Sequence, residues 1–329
     1  MTTSTIKIAK APSSRWLIWL LENAIFVALA LAIVVFSLAS PDNFFTTTTF
    51  IAVLRFASLG GILVAFFTCA MIAGQLDLSA LTVGALGAMA FAVCFQVLQL
   101  PLLLALIIAL GVAALFGALN SHLIYQVQIP SLVTTLAVGT LAYGVSYLLL
   151  DAFGTSNIMR LSRPPLRSLI NTEVLGLPIS IVLMFICYFV LYIVLNHTKL
   201  GSHIYAVGAN ANAARLNGVR VSSVIYFVLI STAMAAGFTT IMLGGRQLAV
   251  TPLMTVISAP LVASLFAGVS LSGGSGRIER TLVGVLFFAV LGIGLSILAL
   301  PSWVRFSVEG LAFILALLTD SIRNHLETR

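Results

Sequence analysis

The side chains equipped for chemistry are few in this sequence, and they fall in separate places. Asp77 and Ser79 lie in Gly74-Gln75-Leu76-Asp77-Leu78-Ser79, a polar break between two apolar runs. Such groups are expensive facing lipid, so the stretch belongs in a protein-lined or wet place. Two chemistries are open to Asp77. It can accept hydrogen bonds from the free N–H groups that open the next helix, or it can orient backbone and touch a polar solute at a broken helix. The four histidines, His122, His197, His203 and His325, are too scattered to form a metal or catalytic set. Cys69, Cys94 and Cys187 sit inside apolar runs without CxxC or Cys/His spacing and read as small packed side chains. The chain contains no GxxxxGK[ST], HExxH or G-x-S-x-G pattern. It is therefore not expected to hydrolyse ATP in the usual way, to act as an enzyme, or to need a cofactor or metal.

The elements that must position these groups follow from composition. Hydrophobic residues make up 60% of the chain and charged residues 8%, with a mean hydropathy of +1.16. A water-soluble globule carries about a quarter charged residues, so the partner here is a lipid membrane and the fold class is an all-α integral membrane protein. The net charge of +7 comes from Lys and Arg scattered between apolar runs. That is no basic stripe, and nucleic acid is excluded as a partner. Lys7, Lys10 and Arg15 precede an apolar run from Trp16 to about Ala39 that is too long for a cleavable signal peptide. A bilayer core of about 30 Å needs about 20 apolar residues per helix. On that measure further spans are predicted near 51 to 73, 78 to 98, 101 to 125, 131 to 150, 178 to 195, 223 to 243, 257 to 272, 281 to 300 and 303 to 319.

That makes about ten transmembrane helices in one domain, 1–329, with both termini on one side. Ten Lys and Arg residues fall on that side, among them Lys199, Arg215, Arg220, Arg277 and Arg280, against six on the other. Positive residues favour the cytoplasm, so the termini, a tail at 1–15 and a loop at 196–222 are predicted inside. Arg160, Arg163 and Arg167 fall in an outer loop, 151–177, with Asp151 and Glu173 nearby. That loop is either a solvated connector or a small surface with its own job. Gly84, Gly87, Gly111, Gly117, Gly284, Gly292 and Gly294 fall inside spans, where small residues allow close helix contact.

The polar interval Gly201–Val221 stands between two apolar runs of spanning length. Asn210 can cap a helix over 211–216, Asn217 ends it, and Gly218 supplies the left-handed residue of a helix stop. Arg215 in the last turn suits the helix dipole. So short a helix is marginal alone and needs something to pack against; the other reading is an ordinary surface loop.

Within this interval, Tyr205-Ala206-Val207-Gly208-Ala209-Asn210 and Ala213-Ala214-Arg215-Leu216-Asn217-Gly218-Val219 resemble the "YAVGGN…AARLSGI" loop of the ribose-type permeases, the membrane subunits of bacterial ABC sugar importers. Gly117-Ala118-Leu119-Asn120 with Ile129-Pro130-Ser131-Leu132-Val133-Thr134-Thr135-Leu136 is similar to "GxLNG…IPSFIxTL", and Ser270-Leu271-Ser272-Gly273-Gly274-Ser275-Gly276 to "TSLxGGxG". The four motifs stand in family order from about residue 50 to 320.

The resemblance implies an inner-membrane permease that moves a sugar-like solute inward. It implies an ATPase subunit docking through Gly208, Asn210, Ala213, Arg215, Leu216 and Gly218, a periplasmic solute-binding protein, and a second permease chain, either itself or a paralogue. It offers Asp77, Ser79 and Asn120 for the translocation path. A self-contained secondary transporter is the alternative, but Glu22, Asp77 and Glu309 all fall near predicted span ends instead of mid-membrane.

The chain departs from the family pattern in three places. Ala80-Leu81 follows Leu76-Asp77-Leu78-Ser79 where "GGIDLSVGS" has Val-Gly. Leu253 to Ala259 lacks the acidic pair of "ELDAIAA", which points to pairing with a more typical sibling. Arg280 replaces a usual glycine, which argues for an exposed loop edge there.

Overall fold

Pro101, Pro130 and Pro178 each stand just before an apolar run, and a helix starts after each of them. A missing N–H costs nothing where helical bonds have not yet begun. The computed structural model describes residues 23–301 except 155–157, 175 and 253–259, together with 303–308, 310–312, 314, 315 and 318. In chain order its helices are α1 (Ala24–Ala39), α2 (Pro41–Phe44), α3 (Thr47–Ile72), α4 (Ala80–Ala92, continued by a π-helical turn at Val93–Val97), α5 (Leu102–Tyr125), α6 (Ser131–Phe153), α7 (Pro164–Ile170), α8 (Ile179–His197), α9 (Lys199–Ala209), α10 (Ala211–Leu216), α11 (Val221–Gln247), α12 (Pro260–Phe266) and α13 (Ile278–Ile297). Strand β1 (Met159–Arg160) pairs antiparallel with β4 (Ala249–Val250), and β2 (Glu173–Val174) with β3 (Leu177–Pro178).

Among the described residues seven helices are long and apolar enough to cross a membrane: α3, α4 with its π turn, α5, α6, α8, α11 and α13. The expected count of ten is not reached among them. The stretch predicted as a span near 257–272 is, where described, a seven-residue helix. It ends as Gly268 turns at φ +83° into a loop tied by Ser270 N–H to Ser275 O at 3.2 Å. Hydropathy averaged over the window does not register that turn. The 1–15 tail, the start of the first span and the position of the missing acidic pair lie outside the described residues.

The spans sort into an inner and an outer set. For α4, 72% of its most apolar stretch is buried inside the protein, and α3 and α11 follow, whereas for α5 only 22% is buried. Helix α11 packs against α3, α4 and α5, and α13 packs against α3 and α1. Small residues allow these approaches: a Cβ on Gly84 would come within 2.8 Å of Ala236 O, and one on Gly117 within 2.8 Å of Leu229 O. Gly111 does not behave as predicted, because nothing lies within 4 Å of its added Cβ. It stands on α5, the least buried of the seven spans, where no neighbour demands a small residue.

Chain breaks gather at two opposite ends. One end holds the 73–79 connection, α9 and α10, and the 267–277 loop. The other holds the π turn, residues 158–174 and 176–178, and β4. At this second end Arg163 stacks over Phe95 at 4.4 Å, and its Nη1 donates to the carbonyls of Phe95 and Leu100. Within the 151–177 loop Met159, Leu161, Leu166 and Ile170 are buried and anchor it to the bundle, while Arg160, Pro164, Arg167 and Glu173 are exposed.

Candidate functional site

The interval Gly201–Val221 folds as two consecutive helices, of which the sequence predicted only the second. The Thr198 hydroxyl accepts from the Gly201 N–H at 3.3 Å and opens α9, which buries Gly201, Ile204 and Val207. Asn210 ends α9 in extended backbone and caps α10, its Oδ1 accepting from the Ala213 N–H at 2.9 Å. At the far end Gly218, at φ +81°, lets its own N–H reach Arg215 O and the Val219 N–H reach Ala214 O, each at 3.0 Å. This paired closure is the Schellman stop, and it satisfies carbonyls that a helix end otherwise leaves open. Ala214 is buried and seats α10, while the Arg215 guanidinium lies 6.0 Å from the Tyr125 ring at the end of α5. Ala213 is exposed, and Leu216 is 89% exposed. A helix fixed at both ends thus holds one large apolar side chain in the open.

Gly208 lies on α9, and it is where this unit meets the rest of the end. A Cβ there would fall on the Ile72 carbonyl and 2.6 Å from the Gly274 nitrogen. That nitrogen donates to Ile72 O at 2.8 Å, and the Tyr205 hydroxyl donates to Gly276 O at 2.9 Å. Gly273 closes the seam against Gly74, whose Cα would be 2.7 Å from an added Cβ. The end of α3, helix α9 and the 267–277 loop therefore meet backbone to backbone. Tyr205 was legible only as part of a motif; its partner lies 71 residues away.

At the same end the structure brings Asp77, Ser79 and Asn120 together. Asp77 Oδ1 accepts from the Ser79 N–H at 3.0 Å and from the Ser79 hydroxyl, just before the start of α4. Asn120 Nδ2 donates to Ser79 Oγ at 2.8 Å. Thr135, which the sequence showed only inside a motif, accepts from the Leu78 N–H and donates to Leu76 O, both at 3.2 Å. All four side chains are buried, so the α3–α4 connection is tied to α5 and α6. Burial pushes the Asp77 carboxyl up to about 6, with the hydrogen bonds from Ser79 pulling the other way. Asp77 Oδ2 and Asn120 Oδ1 are buried acceptors with no donor. Protonating Asp77 would turn one of them into a donor. After Ser79, Ala80 is buried, and Gly139 comes close enough that an added Cβ would stand 3.2 Å from Ser79 Cα.

Residues 43–317 match the family model described as branched-chain amino acid transport system, permease component. The chain is 29% identical over 338 residues to the ribose import permease protein of Escherichia coli, covering 98% of this chain and 99% of that one. It is 27% identical over 313 residues to the ribose import permease protein of Haemophilus influenzae, covering 94% and 95%. It is 28% identical over 318 residues to the autoinducer 2 import system permease protein of Photorhabdus temperata, covering 92% of each. No solved structure matches.

Proposed function

The chain belongs to the family of permease components of branched-chain amino acid transport systems, and from that premise we propose that it is the membrane subunit of a bacterial ABC importer. In this reading it carries a sugar or sugar-like small polar solute inward across the inner membrane. The names of its relatives, permeases for ribose and for autoinducer 2, support a sugar-like solute. A separate ATPase subunit docks on α10 and hydrolyses the ATP, a periplasmic binding protein delivers solute to the opposite end, and a second permease chain completes the path. The end bearing α9 and α10 faces the cytoplasm, as do both termini; Lys199, Arg215, Arg220, Arg277 and Arg280 gathered at that end support the orientation. Asp77, Ser79 and Asn120 then stand at the inner end of the path, where their hydrogen bonds hold backbone.

One observation carries the reading: Leu216 stands 89% exposed on a helix closed at both ends. Burying a leucine in a partner's groove is worth roughly 1.5–3 kcal/mol, and an aspartate there would remove that gain and strand a charge at a desolvated contact. Leu216→Asp is expected to leave insertion and expression unchanged, release the ATPase in detergent and stop uptake. Arg215→Ala should be milder, since a rim charge is worth less than about 1 kcal/mol. Copurification of the ATPase with Leu216→Asp, together with normal uptake, would show that α10 is not the coupling element.

A further inference from the structure

The outer half of the molecule holds two cavities that share two arginines. One, of about 400 Å³, is lined by residues of α3, α11 and α13 that include Thr47, Thr48, Arg55, Phe56 and Arg246. The other, of about 270 Å³, is lined by Arg55 and Arg246 together with Asn171, Glu173 and Ser180. Small-molecule sites run roughly 300–1,000 Å³, and the larger cavity falls within that range.

The charges there do not balance. Arg55 lies eight residues into α3 from Thr47, about 12 Å along the axis at 1.5 Å per residue. Its Nε is buried with no hydrogen-bond partner. An arginine kept only for structure would have its buried donors paired with a carbonyl or carboxylate. Arg246, in the last turn of α11, faces the same space. Glu173 is the one acidic residue among the lining residues, and it lies on the exposed strand β2 at the smaller cavity. Two guanidiniums against one carboxylate leave a net positive charge at this end of the bundle, with Arg246 exposed and Arg55 half-buried on a membrane-spanning helix, a place where ionisable groups mark solute and ion paths. Arginine's planar fork matches the two oxygens of a carboxylate or phosphate. Ser180 and Asn171 add neutral hydrogen-bonding groups of the kind that hydroxyls bind. Ser180 is buried, and its hydroxyl lies 2.9 Å from that of Ser58, which also bonds the Arg55 carbonyl at 2.8 Å.

We propose that Arg55 and Arg246 form an anion site at the outer mouth of the path, and that the carried solute is a sugar derivative bearing a carboxylate or phosphate group. The assignment of the anion to a carried solute rests on the import reading given above; the site itself does not.

The test needs no ATPase, so it can fail independently of the coupling of α10. The purified protein is placed in nanodiscs of zwitterionic lipid, and its thermal midpoint is followed as gluconate, glucose or inorganic phosphate is added. Gluconate is expected to raise the midpoint saturably and glucose not to, with phosphate acting as a weaker competitor. Arg55→Gln and Arg246→Gln should each weaken gluconate roughly tenfold or more, the loss expected for a charge-assisted pair. Arg55→Lys, which keeps the charge but not the fork, should fall between. The midpoints without ligand report whether each variant folds. Equal shifts by gluconate and glucose, or gluconate shifts unchanged in both glutamine variants, would overturn the site. A shift that appears only when phosphatidylglycerol is present, and that Arg55→Gln abolishes, would give the site to a lipid headgroup and overturn the solute assignment.

Discussion

Asp77 carries two roles that substitution can separate. It accepts the Ser79 N–H at the entry to α4 while buried at 1% exposure, with Oδ2 left without a donor. Its pKa rises from 3.8 unfolded to about 6 folded. A raised folded value means the group contributes stability that is full below 3.8 and is lost as pH climbs through about 6. The thermal midpoint in detergent should therefore fall between pH 4 and pH 7, and Asp77→Asn should remove that part of the slope. The asparagine keeps an acceptor for the cap and has no charge to bury, so at pH 7 it is expected to gain roughly 1–3 kcal/mol and to retain transport. Asp77→Ala should be about 1 kcal/mol less stable than Asp77→Asn, the usual worth of a cap. If Asp77→Asn folds normally yet does not transport, the carboxylate charge itself is used in the cycle.

Between elements, the contact that matters most is the glycine seam. Helix α10 presents Leu216, α10 packs directly on α9, and α9 touches the end of α3 and the 267–277 loop through Gly208. A methyl group there meets backbone on two sides, and backbone cannot rotate away as a flexible side chain does. Gly208→Ala is therefore expected to cost about 1–3 kcal/mol from overpacking and to stop uptake even where the ATPase still binds. Gly111→Ala is the control: with nothing within 4 Å, it should leave transport intact and gain slightly from alanine's helix propensity. Uptake that survives Gly208→Ala as well as Gly111→Ala would mean that the seam transmits nothing.

For the whole molecule, orientation is tested by single cysteines at Asn212 and Thr172 in a cysteine-free background. They stand at opposite ends of the bundle, on α10 and between α7 and β2. Asn212→Cys should react with an impermeant thiol reagent only after the cytoplasmic side is opened, and Thr172→Cys from outside; equal labelling of both from outside would reverse or break the topology. What the sequence determined by itself was local. Seven of the apolar runs, the Asn210 cap and the Gly218 stop are set by neighbouring residues, and among the described residues these took their expected form. Among the described residues window-averaged hydropathy overran where a turn hides inside apolar residues, at Gly268, and it missed α9 because that helix is amphipathic and lies outside the spans. The tertiary structure alone decided which breaks share an end. Gly74, Gly208 and Gly273 are far apart in the chain, and so are Arg55 and Arg246; no periodicity links them. Their meeting depends on how α3, α11 and α13 cross, and packing across the whole bundle sets those crossings.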